Sequence, residues 1–275
     1  MLTYINFFGK DIPVYALCAI VGVLFSILLF VILHRKNPRL NSVQKANVPV
    51  VAMLGVFIGA HLLYGITHMD SIVWVICHLD TVFESFEIFS AYMSDIFGGM
   101  VFYGGLLGGL AAGAIYCKYM GLDPWVYGDA YAPCIPLFHA FGRVGCFLAG
   151  CCYGIESTWG IVYENAPDEA ANGVMRLPIQ LFEAAGELAI CAVLVIVFLR
   201  LKKPKAGTLL CLYFLMYTVL RFITEFFRGD EIRGIFLGFS TSQWISMLLF
   251  VLSAIKLISL YHRKIPDKKF DVTEV

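Results

Sequence analysis

Charged side chains are scarce in this sequence. Asp, Glu, Lys and Arg together make up 15% of its 275 residues, whereas 60% are hydrophobic. Soluble globular domains carry about 25% charged residues, so this composition, with a mean hydropathy of +0.79, excludes an ordinary soluble domain. The chain is therefore expected to be an integral membrane protein.

The sequence also lacks an excess of charge of either sign. Its formal net charge is zero, and no basic recognition face stands out, so nucleic acid is not an expected partner. No P-loop, dinucleotide-binding fingerprint or metal-ligand set with the usual spacing is present. The sequence predicts no cofactor and no metal.

The apolar residues fall into blocks of the length that a helix needs to cross a bilayer, about 20 residues. Short alternating segments, which would indicate membrane β-strands, are missing. The sequence therefore predicts an all-α integral membrane protein, a seven-transmembrane-helix bundle that forms one domain over residues 1–275. The predicted spans are about 13–33, 48–66, 97–117, 128–149, 180–200, 207–227 and 240–261. An acidic segment at about 72–96 is expected to lie along the interface, and 150–179 is expected to be an external loop.

Basic residues cluster in three connections, at 34–47, at 200–206 and in the tail. With seven spans these connections share one side of the membrane, and the positive-inside rule makes that side cytoplasmic. The acid-rich loops 67–96 and 150–179 fall on the other side. The N-terminus is therefore predicted to lie outside and the C-terminus in the cytoplasm.

Polar residues collect at the outer ends of several predicted spans. In hydrocarbon an ionised side chain is costly unless it pairs or faces a polar cavity, so these residues are candidates for function. Arg221 and Glu225 stand at i and i+4 on one helical face and can pair. The alternative is that Arg143 only reaches the headgroups and Arg221 only satisfies Glu225. The set comprises Tyr103, Arg143, Gln180, Glu183, Arg221 and Glu225.

Two arginines at the outer surface favour a phosphate ligand, because guanidinium groups bind phosphate oxygens in a bidentate manner. A phospholipid headgroup carries its phosphate at this depth. The sequence thus predicts a phospholipid substrate.

Three cysteines follow Arg143 in the stretch "HAFGRVGCFLAGCCYG". A thiolate beside Arg143 could act as a nucleophile, and two of the three thiols could form a disulfide or bind a metal, although the spacing C-x4-C-C lacks the usual C-x2-C of zinc sites. The leading interpretation is that Cys146, Cys151 and Cys152 are small residues that pack around a helix end.

Seven motifs in order give the chain a family resemblance. "DIPVYALCAIVG" contains a tyrosine in the first span; "GAHLLYG" resembles "GARLGY"; "GGMVFYGGLLGG" resembles "GGMSFHGGLIG"; and "GDAYAPCIPLFHAFGRVGCF" resembles "D..AP..P…GR.GNF". "LPIQLFEA" resembles "HPSQLYEA", "YTVLRFITEFFRGDE" resembles "YG..RF..EFFR.PD", and "STSQWIS" resembles "S.GQ.LS". Together they resemble the prolipoprotein diacylglyceryl transferases, from about residue 12 to about residue 250.

The resemblance implies an enzyme that transfers a diacylglyceryl group from phosphatidylglycerol to the lipobox cysteine of a secreted precursor and releases glycerol phosphate. It implies that Arg143 and Arg221 hold the phosphate and stabilise charge on the leaving group, and that Glu225 orients Arg221. Tyr15 and Tyr217 would supply hydroxyl groups.

The same resemblance implies that Gln180 orders the start of the fifth span. Gly104 and Gly105, in the family's "HGG" position, are expected at the substrate site, as are Glu183, Cys146 and Cys151. The implied location is a bacterial cytoplasmic membrane, with the active site on the extracytoplasmic side.

The sequence departs from the family pattern at the expected centre of the chemistry. Tyr103 replaces the family's histidine, and Cys146 and Cys151 replace an asparagine and a glutamate. Because tyrosine has a pKa near ~10, it is a poor base near neutral pH. His139, one turn before Arg143, is the best substitute and Glu183 the second; the alternative for His139 is a hydrogen-bonded core histidine.

Three functions remain open on the sequence. The first is the transferase with a prolipoprotein acceptor. The second keeps phosphatidylglycerol or a related phospholipid as the donor but transfers a lipid or glycerophosphate group to another acceptor. The third is a lipid-binding membrane protein without catalysis.

Overall fold

The computed structural model describes residues 1–7, 9–35, 40, 43–99, 101–201, 204–229 and 235–262, and within these the side chains of Phe7, Thr67, Phe102 and Tyr103 lie outside the description. Helices dominate the described chain. They are α1 (Val14–His34), α2 (Gln44–Thr67), α3 (Met69–Cys77), α4 (Leu79–Val82), α5 (Phe86–Phe97), α6 (Phe102–Tyr119), α7 (Pro124–Tyr131), α8 (Cys134–Ala149), α9 (Ile179–Arg200), α10 (Thr208–Glu225) and α11 (Thr241–His262).

Within the described part of the chain, three short antiparallel hairpins accompany the helices. Their strands are β1 (Tyr4–Phe7), β2 (Lys10–Pro13), β3 (Glu156–Val162), β4 (Met175–Arg176), β5 (Ile235–Phe236) and β6 (Phe239–Ser240). A single 3₁₀ turn, Glu169–Ala171, lies between β3 and β4.

Five of the described helices are long and apolar enough to cross a membrane: α1, α2, α9, α10 and α11. The pair α7 and α8, bent by 47° at a short break, could make a sixth. The prediction of a helical membrane protein is therefore confirmed, but the count of seven spans is not. The predicted third span is a helix, α6, which contains five glycines and is not among the five helices that meet the length and hydropathy of a span.

The acidic segment 72–96 is not one continuous helix. It is divided among α3, α4 and α5, the longest of which has 12 residues. None of these is long enough to cross hydrocarbon alone, since a span needs about 20 residues.

The described residues up to 35 and from 128 onward form one compact unit. In it α1 packs on α8, α8 on α9, α9 on α10, and α10 on α11. A core cluster that includes Leu194, Leu209 and Tyr213 lies where α9 and α10 meet. Asp129 fixes the start of α10 by accepting hydrogen bonds from the backbone N–H groups of Gly207 at 2.8 Å and Leu210 at 2.9 Å.

The described residues between 40 and 127 form the second unit. Its main contact is the pair α2 and α6, which meet through glycines. A Cβ atom on Gly59 would lie 2.2 Å from the carbonyl oxygen of Gly104. Only glycine permits this backbone approach, as in other small-residue helix interfaces in membranes.

Candidate functional site

One carboxylate joins the two arginines that the sequence singled out. Arg143 on α8 donates from Nε to Oε2 of Glu183 on α9 at 2.8 Å. Arg221 on α10 donates from Nη1 to Oε1 of the same carboxylate at 2.7 Å. Glu183 therefore holds the guanidinium groups of two different helices side by side. The sequence places Arg143, Arg221 and Glu183 at one depth, and the structure brings them into direct contact.

Arg221 is fixed by further partners on its own helix and on α11. Its Nη2 lies 2.5 Å from Oε2 of Glu225, the pair expected from the i, i+4 spacing. The same Nη2 donates to the hydroxyl of Ser242 at 3.1 Å. Thr224 donates its hydroxyl to Oε1 of Glu183 at 2.8 Å. The guanidinium of Arg221 is thus held in one orientation.

A second buried pair lies next to this cluster. Nδ1 of His139 lies 2.7 Å from Oε1 of Glu187, and the Glu187 side chain is 1% exposed. The ring of Tyr217 lies 5.5 Å from the His139 ring. A tightly packed crevice, too small to admit a water molecule, is lined by His139, Glu183, Glu187, Tyr217, Leu220 and Arg221. The crevice joins the histidine pair to the arginine cluster.

Gln180 anchors the loop that precedes α9. It is fully buried, donates from Nε2 to the carbonyl oxygen of Cys151 at 2.6 Å, and accepts the Tyr163 hydroxyl at 3.1 Å. Burial raises the pKa of this Tyr163 hydroxyl, so it remains a donor. These contacts lie at the start of α9, where the sequence expects Gln180 to order the chain, and that role stays a prediction.

The loop 150–178 is also tied to the end of α10. Ile155 donates its N–H to Phe227 at 2.9 Å, and Gly229 donates to Tyr153 at 2.9 Å. The Tyr153 hydroxyl donates to Asp168. This hydrogen bond, a second one from the Ala170 N–H, and the positive charge of Arg176 lower the pKa of the Asp168 carboxyl. These bonds give the loop a defined position over α8, α9 and α10.

The end of α8 brings two of the three cysteines together. Gly150 adopts a left-handed conformation with φ 77°, its N–H donates to Phe147, and the Cys151 N–H donates to the carbonyl of Cys146 at 3.1 Å. This pattern is a Schellman motif, which places the residue after the glycine against the residue five positions earlier. The backbone geometry of the helix end therefore brings Cys146 and Cys151 together.

Cys152 completes the group by a less ordinary route. It is one of the few described non-glycine residues with a positive φ, 56°, a conformation that costs on the order of 1 kcal/mol or more. With this turn, the Sγ atoms of Cys146, Cys151 and Cys152 all lie within 4.8 Å of one another. Cys146 is buried, and the other two are partly exposed.

Two guanidinium groups, those of Arg143 and Arg228, lie within electrostatic range of Cys152. Hydrogen bonds from Cys146 and Cys151, with the charges of Arg228 and Arg143, lower the pKa of the Cys152 thiol despite its burial. Tyr15 lies within electrostatic range of Arg143 and the three thiols. A Cβ on Gly145 would lie 3.1 Å from the Tyr15 ring, so this glycine lets α1 bring the tyrosine close to α8.

The other predicted residues, Tyr103, Gly104 and Gly105, belong to α6 in the second compact unit. The side chain of Tyr103 lies outside the described part of the structure. Gly104 and Gly105 are buried, and added Cβ atoms would meet Gly59 and Val56 of α2. Their place at a substrate site stays a prediction.

Sequence reasoning missed several residues of the cluster. Glu187 could have been found, because it is a carboxylate inside an apolar span four residues after Glu183. Thr224 and Ser242 gave no distinctive signal, whereas Arg228 is the last arginine of the matched motif "YTVLRFITEFFRGDE" and was given no role there. Arg228 lies within electrostatic range of both Glu183 and Cys152, a position that depends on how α10 ends.

These observations define a class: a multi-pass helical membrane protein with a buried cluster of paired arginines and carboxylates. The family model described as prolipoprotein diacylglyceryl transferase matches residues 3–259. The chain therefore belongs to the prolipoprotein diacylglyceryl transferase family.

Relatives are similar over most of their length. A protein of Clostridium tetani is 30% identical over 247 residues, covering 89% of this chain and 92% of its own. One from Campylobacter jejuni is 28% identical over 268 residues, covering 94% and 93%. A third, from Campylobacter curvus, is 33% identical over 224 residues, covering 76% and 78%. All three are named phosphatidylglycerol–prolipoprotein diacylglyceryl transferase.

Proposed function

We infer that this protein transfers the diacylglyceryl group of phosphatidylglycerol to the cysteine thiol of a prolipoprotein and releases glycerol phosphate. The names of the relatives supply the substrates. The observation that carries the inference is the bridge from Arg143 through Glu183 to Arg221, because it prepares two adjacent guanidinium groups for one anionic group.

The geometry of guanidinium groups favours a phosphodiester at this position. Three guanidinium groups, those of Arg143, Arg221 and Arg228, lie within electrostatic range of Glu183, and Glu225 is the further carboxylate of the cluster. Glu187, which pairs with His139, is a third carboxylate beside these groups. Guanidinium is the group best suited to bidentate phosphate binding. Glu183 engages Nε of Arg143, so the terminal amino groups of that guanidinium are assigned to the phosphate.

In the reaction, the acceptor sulfur attacks the glyceryl carbon that is bonded to the phosphate oxygen. A carbon–sulfur bond forms, the carbon–oxygen bond breaks, and the electron pair leaves on the phosphate. Negative charge on the leaving phosphate rises from one to two. Fixed guanidinium groups stabilise this additional charge in the transition state, which is the larger part of catalysis in many enzymes.

His139 is assigned to the leaving group. Glu187 holds Nδ1 of the ring, and His139 lines the same crevice as Arg221, so the imidazole lies near the guanidinium assigned to the phosphate. A hydrogen bond or proton from the other ring nitrogen would neutralise the departing glycerol phosphate. Tyr217 borders the same crevice, and Tyr15 lies on the thiol side of Arg143.

We place the site on the extracytoplasmic side of a bacterial cytoplasmic membrane, with seven spans, the N-terminus outside and the C-terminus inside. The three basic connections support this orientation. A secreted acceptor supports the same side.

The decisive assay uses purified protein in lipid nanodiscs with labelled phosphatidylglycerol and a lipobox peptide. We expect glycerol phosphate release that depends on the peptide, and a lipid-modified peptide in equal amount. A peptide with serine in place of the cysteine is the control. Release without any peptide would instead support transfer to a different acceptor, and lipid binding without release would contradict an enzyme.

A further inference from the structure

The three thiols at the end of α8 are the strongest cluster that the arginine site does not use. Two of them meet through the Schellman motif, which needs no function to explain it. The third does not, because Cys152 reaches the group only by adopting a positive φ of 56°. Strained backbone of this kind concentrates at functional sites. A function proposed for this cluster must therefore account for all three thiols, whereas a disulfide would use only two.

Three thiolates at this separation suit zinc. In a tetrahedral site with Zn–S bonds of ~2.3 Å, sulfur atoms are separated by about 3.8 Å. The Sγ atoms here lie within 4.8 Å of one another, so each needs to move by roughly 0.6 Å at most to reach that geometry. Arg143 and Arg228, both within electrostatic range of Cys152, would offset the negative charge of a zinc ion bound by three thiolates.

We propose that Cys146, Cys151 and Cys152 bind a zinc ion whose fourth coordination position receives the thiol of the acceptor cysteine. This inference rests on the proposed function, in which the nucleophile is a thiol. Catalytic zinc sites have three protein ligands and keep the fourth position open for water or substrate.

Zinc would solve a specific chemical problem of the reaction. A free cysteine thiol has a pKa of about 8.5, so most of it is protonated and unreactive near neutral pH. A thiol bound to zinc loses its proton outright. The released proton passes to water at the partly exposed face formed by Cys151 and Cys152. The bound sulfur keeps its lone pairs for attack on the glyceryl carbon.

The position of the cluster matches this role. Arg143 lies within electrostatic range of Cys146 and Cys152 and contacts Glu183 of the phosphate site. The acceptor sulfur on zinc and the donor phosphate on the arginines would therefore flank the same residue. His139 stands two helical turns before Cys146, ~10 Å away along α8, and serves the phosphate end instead.

The first measurement is metal content. Full-length protein, purified in nanodiscs under reducing conditions without chelator, should contain about one zinc per chain, as a three-thiolate site requires. Cys146→Ser, Cys151→Ser and Cys152→Ser should each weaken zinc binding by roughly a hundredfold or more, since loss of even an outer-shell partner costs tenfold to a hundredfold. Cys18→Ser is the matched control, because Cys18 is a partly exposed thiol outside the cluster.

The second measurement follows the acceptor. After replacement of zinc by Co²⁺, the wild-type protein should show a thiolate-to-cobalt absorption band. Addition of the lipobox peptide should shift the visible cobalt bands as a fourth sulfur binds, whereas the serine peptide should not. If the serine variants fail to fold, alkylation of wild-type protein gives the same answer: the partly exposed thiols of Cys151 and Cys152 should resist a maleimide until a chelator removes the metal.

The outcomes separate the zinc site from the proposed function. Metal-free protein that releases glycerol phosphate at the full rate overturns the zinc site and leaves the transferase intact. Copper instead of zinc, a disulfide within the cluster, or cobalt bands that ignore the cysteine peptide also overturn it. Zinc-loaded protein whose cobalt form responds to the peptide, but which releases no glycerol phosphate, keeps the site and contradicts the transferase.

Discussion

Nδ1 of His139 lies 2.7 Å from a carboxylate oxygen of Glu187, which is almost completely buried. The two residues stand on different helices, α8 and α9, so this contact fixes the imidazole relative to the arginine cluster. A carboxylate that accepts from one ring nitrogen determines both the orientation of a histidine and which nitrogen faces its substrate. Glu187 is therefore a positioning residue for His139.

A double-mutant cycle tests this relationship. We expect His139→Ala to lower kcat by about a hundredfold, the lower end of the range for general acid–base catalysis. Glu187→Gln should lower kcat by tenfold to a hundredfold, as loss of an outer-shell partner does, with little change in KM. The double variant should be no worse than His139→Ala, because residues that act as a unit are not additive.

Thr218→Val is the control for this cycle. Thr218 lies in α10 and donates its hydroxyl within its own helix, to Phe214 at 2.7 Å. The substitution Thr218→Val should leave kcat unchanged. Effects of Glu187→Gln that add fully to those of His139→Ala would contradict the positioning role.

Arg143 tests the phosphate site. We expect Arg143→Ala to reduce glycerol phosphate release by about a hundredfold or more, since one lost transition-state contact of this kind costs about 3 kcal/mol. Arg143→Lys should rescue poorly because lysine lacks the bidentate geometry. Wild-type rates in Arg143→Ala would remove the main support for phospholipid transfer.

The same substitution should also affect stability. Arg143 pairs with a buried carboxylate, and removal of one partner leaves a buried charge less compensated. Rates must therefore be normalised to folded protein, for example by the fraction that elutes as a monodisperse peak.

Gly150 tests the local geometry behind the thiol cluster. It has φ +77°, and a Cβ there would lie 2.9 Å from Met1 Cγ and 3.0 Å from Ala166 Cβ. Gly150→Ala should destabilise the protein by about 1–2 kcal/mol through a strained left-handed residue.

Gly142→Ala is the matched control, because nothing lies within 4 Å of its added Cβ. Gly142→Ala should be neutral or stabilising, since alanine is preferred inside a helix by about 1 kcal/mol. Thermal unfolding in detergent measures both.

The loop 150–178 should lose stability in acid. The Tyr153 hydroxyl, the Ala170 N–H and Arg176 hold the pKa of Asp168 below its ordinary value. Because the folded-state pKa is lower than the unfolded-state pKa of about 3.9, the ionised carboxyl stabilises the fold at pH values above about 3.9. This stabilisation disappears as the pH falls through the folded-state pKa. Protease resistance of the loop should thus be constant between about pH 7 and pH 5 and fall below about pH 4.

Substitutions at two tyrosines distinguish the acid response of Asp168 from a general loss of loop stability. Tyr153→Phe should reduce the pH dependence, because the first cause of the shift is lost. Tyr163→Phe, which removes a hydrogen bond to the amide of Gln180, should weaken the loop equally at each pH. An unchanged acid response in Tyr153→Phe would contradict the assignment.

Topology can be tested with two reporters. One fused after Lys264, in the tail outside the described residues, should be cytoplasmic, and one inserted near Asn165 should be external, because basic connections remain inside. The opposite pattern would overturn the orientation and the external site together.

The sequence by itself determined that the protein is a helical membrane protein. Its charge is low and its apolar blocks are long, and in lipid the backbone polar groups of such blocks are satisfied within helices. It also identified Arg143, Arg221, Glu183 and Glu225, since ionised residues in apolar helices need partners and the choice of partners is small. The pair of Arg221 and Glu225 followed from helical spacing alone. Periodicity could not show that α7 and α8 are separated by a 47° bend.

Tertiary structure decided the rest. That Glu183 joins two arginines, and that Glu187 holds His139, depends on the packing of α8 against α9 and of α9 against α10, which no single helical pattern contains. The cysteines show the difference most clearly. Their spacing, C-x4-C-C, does not match the usual zinc pattern, and it favoured simple packing. A Schellman motif and one left-handed residue nevertheless bring all three sulfur atoms together, because side-chain direction at a helix end depends on backbone dihedral angles that sequence spacing does not specify.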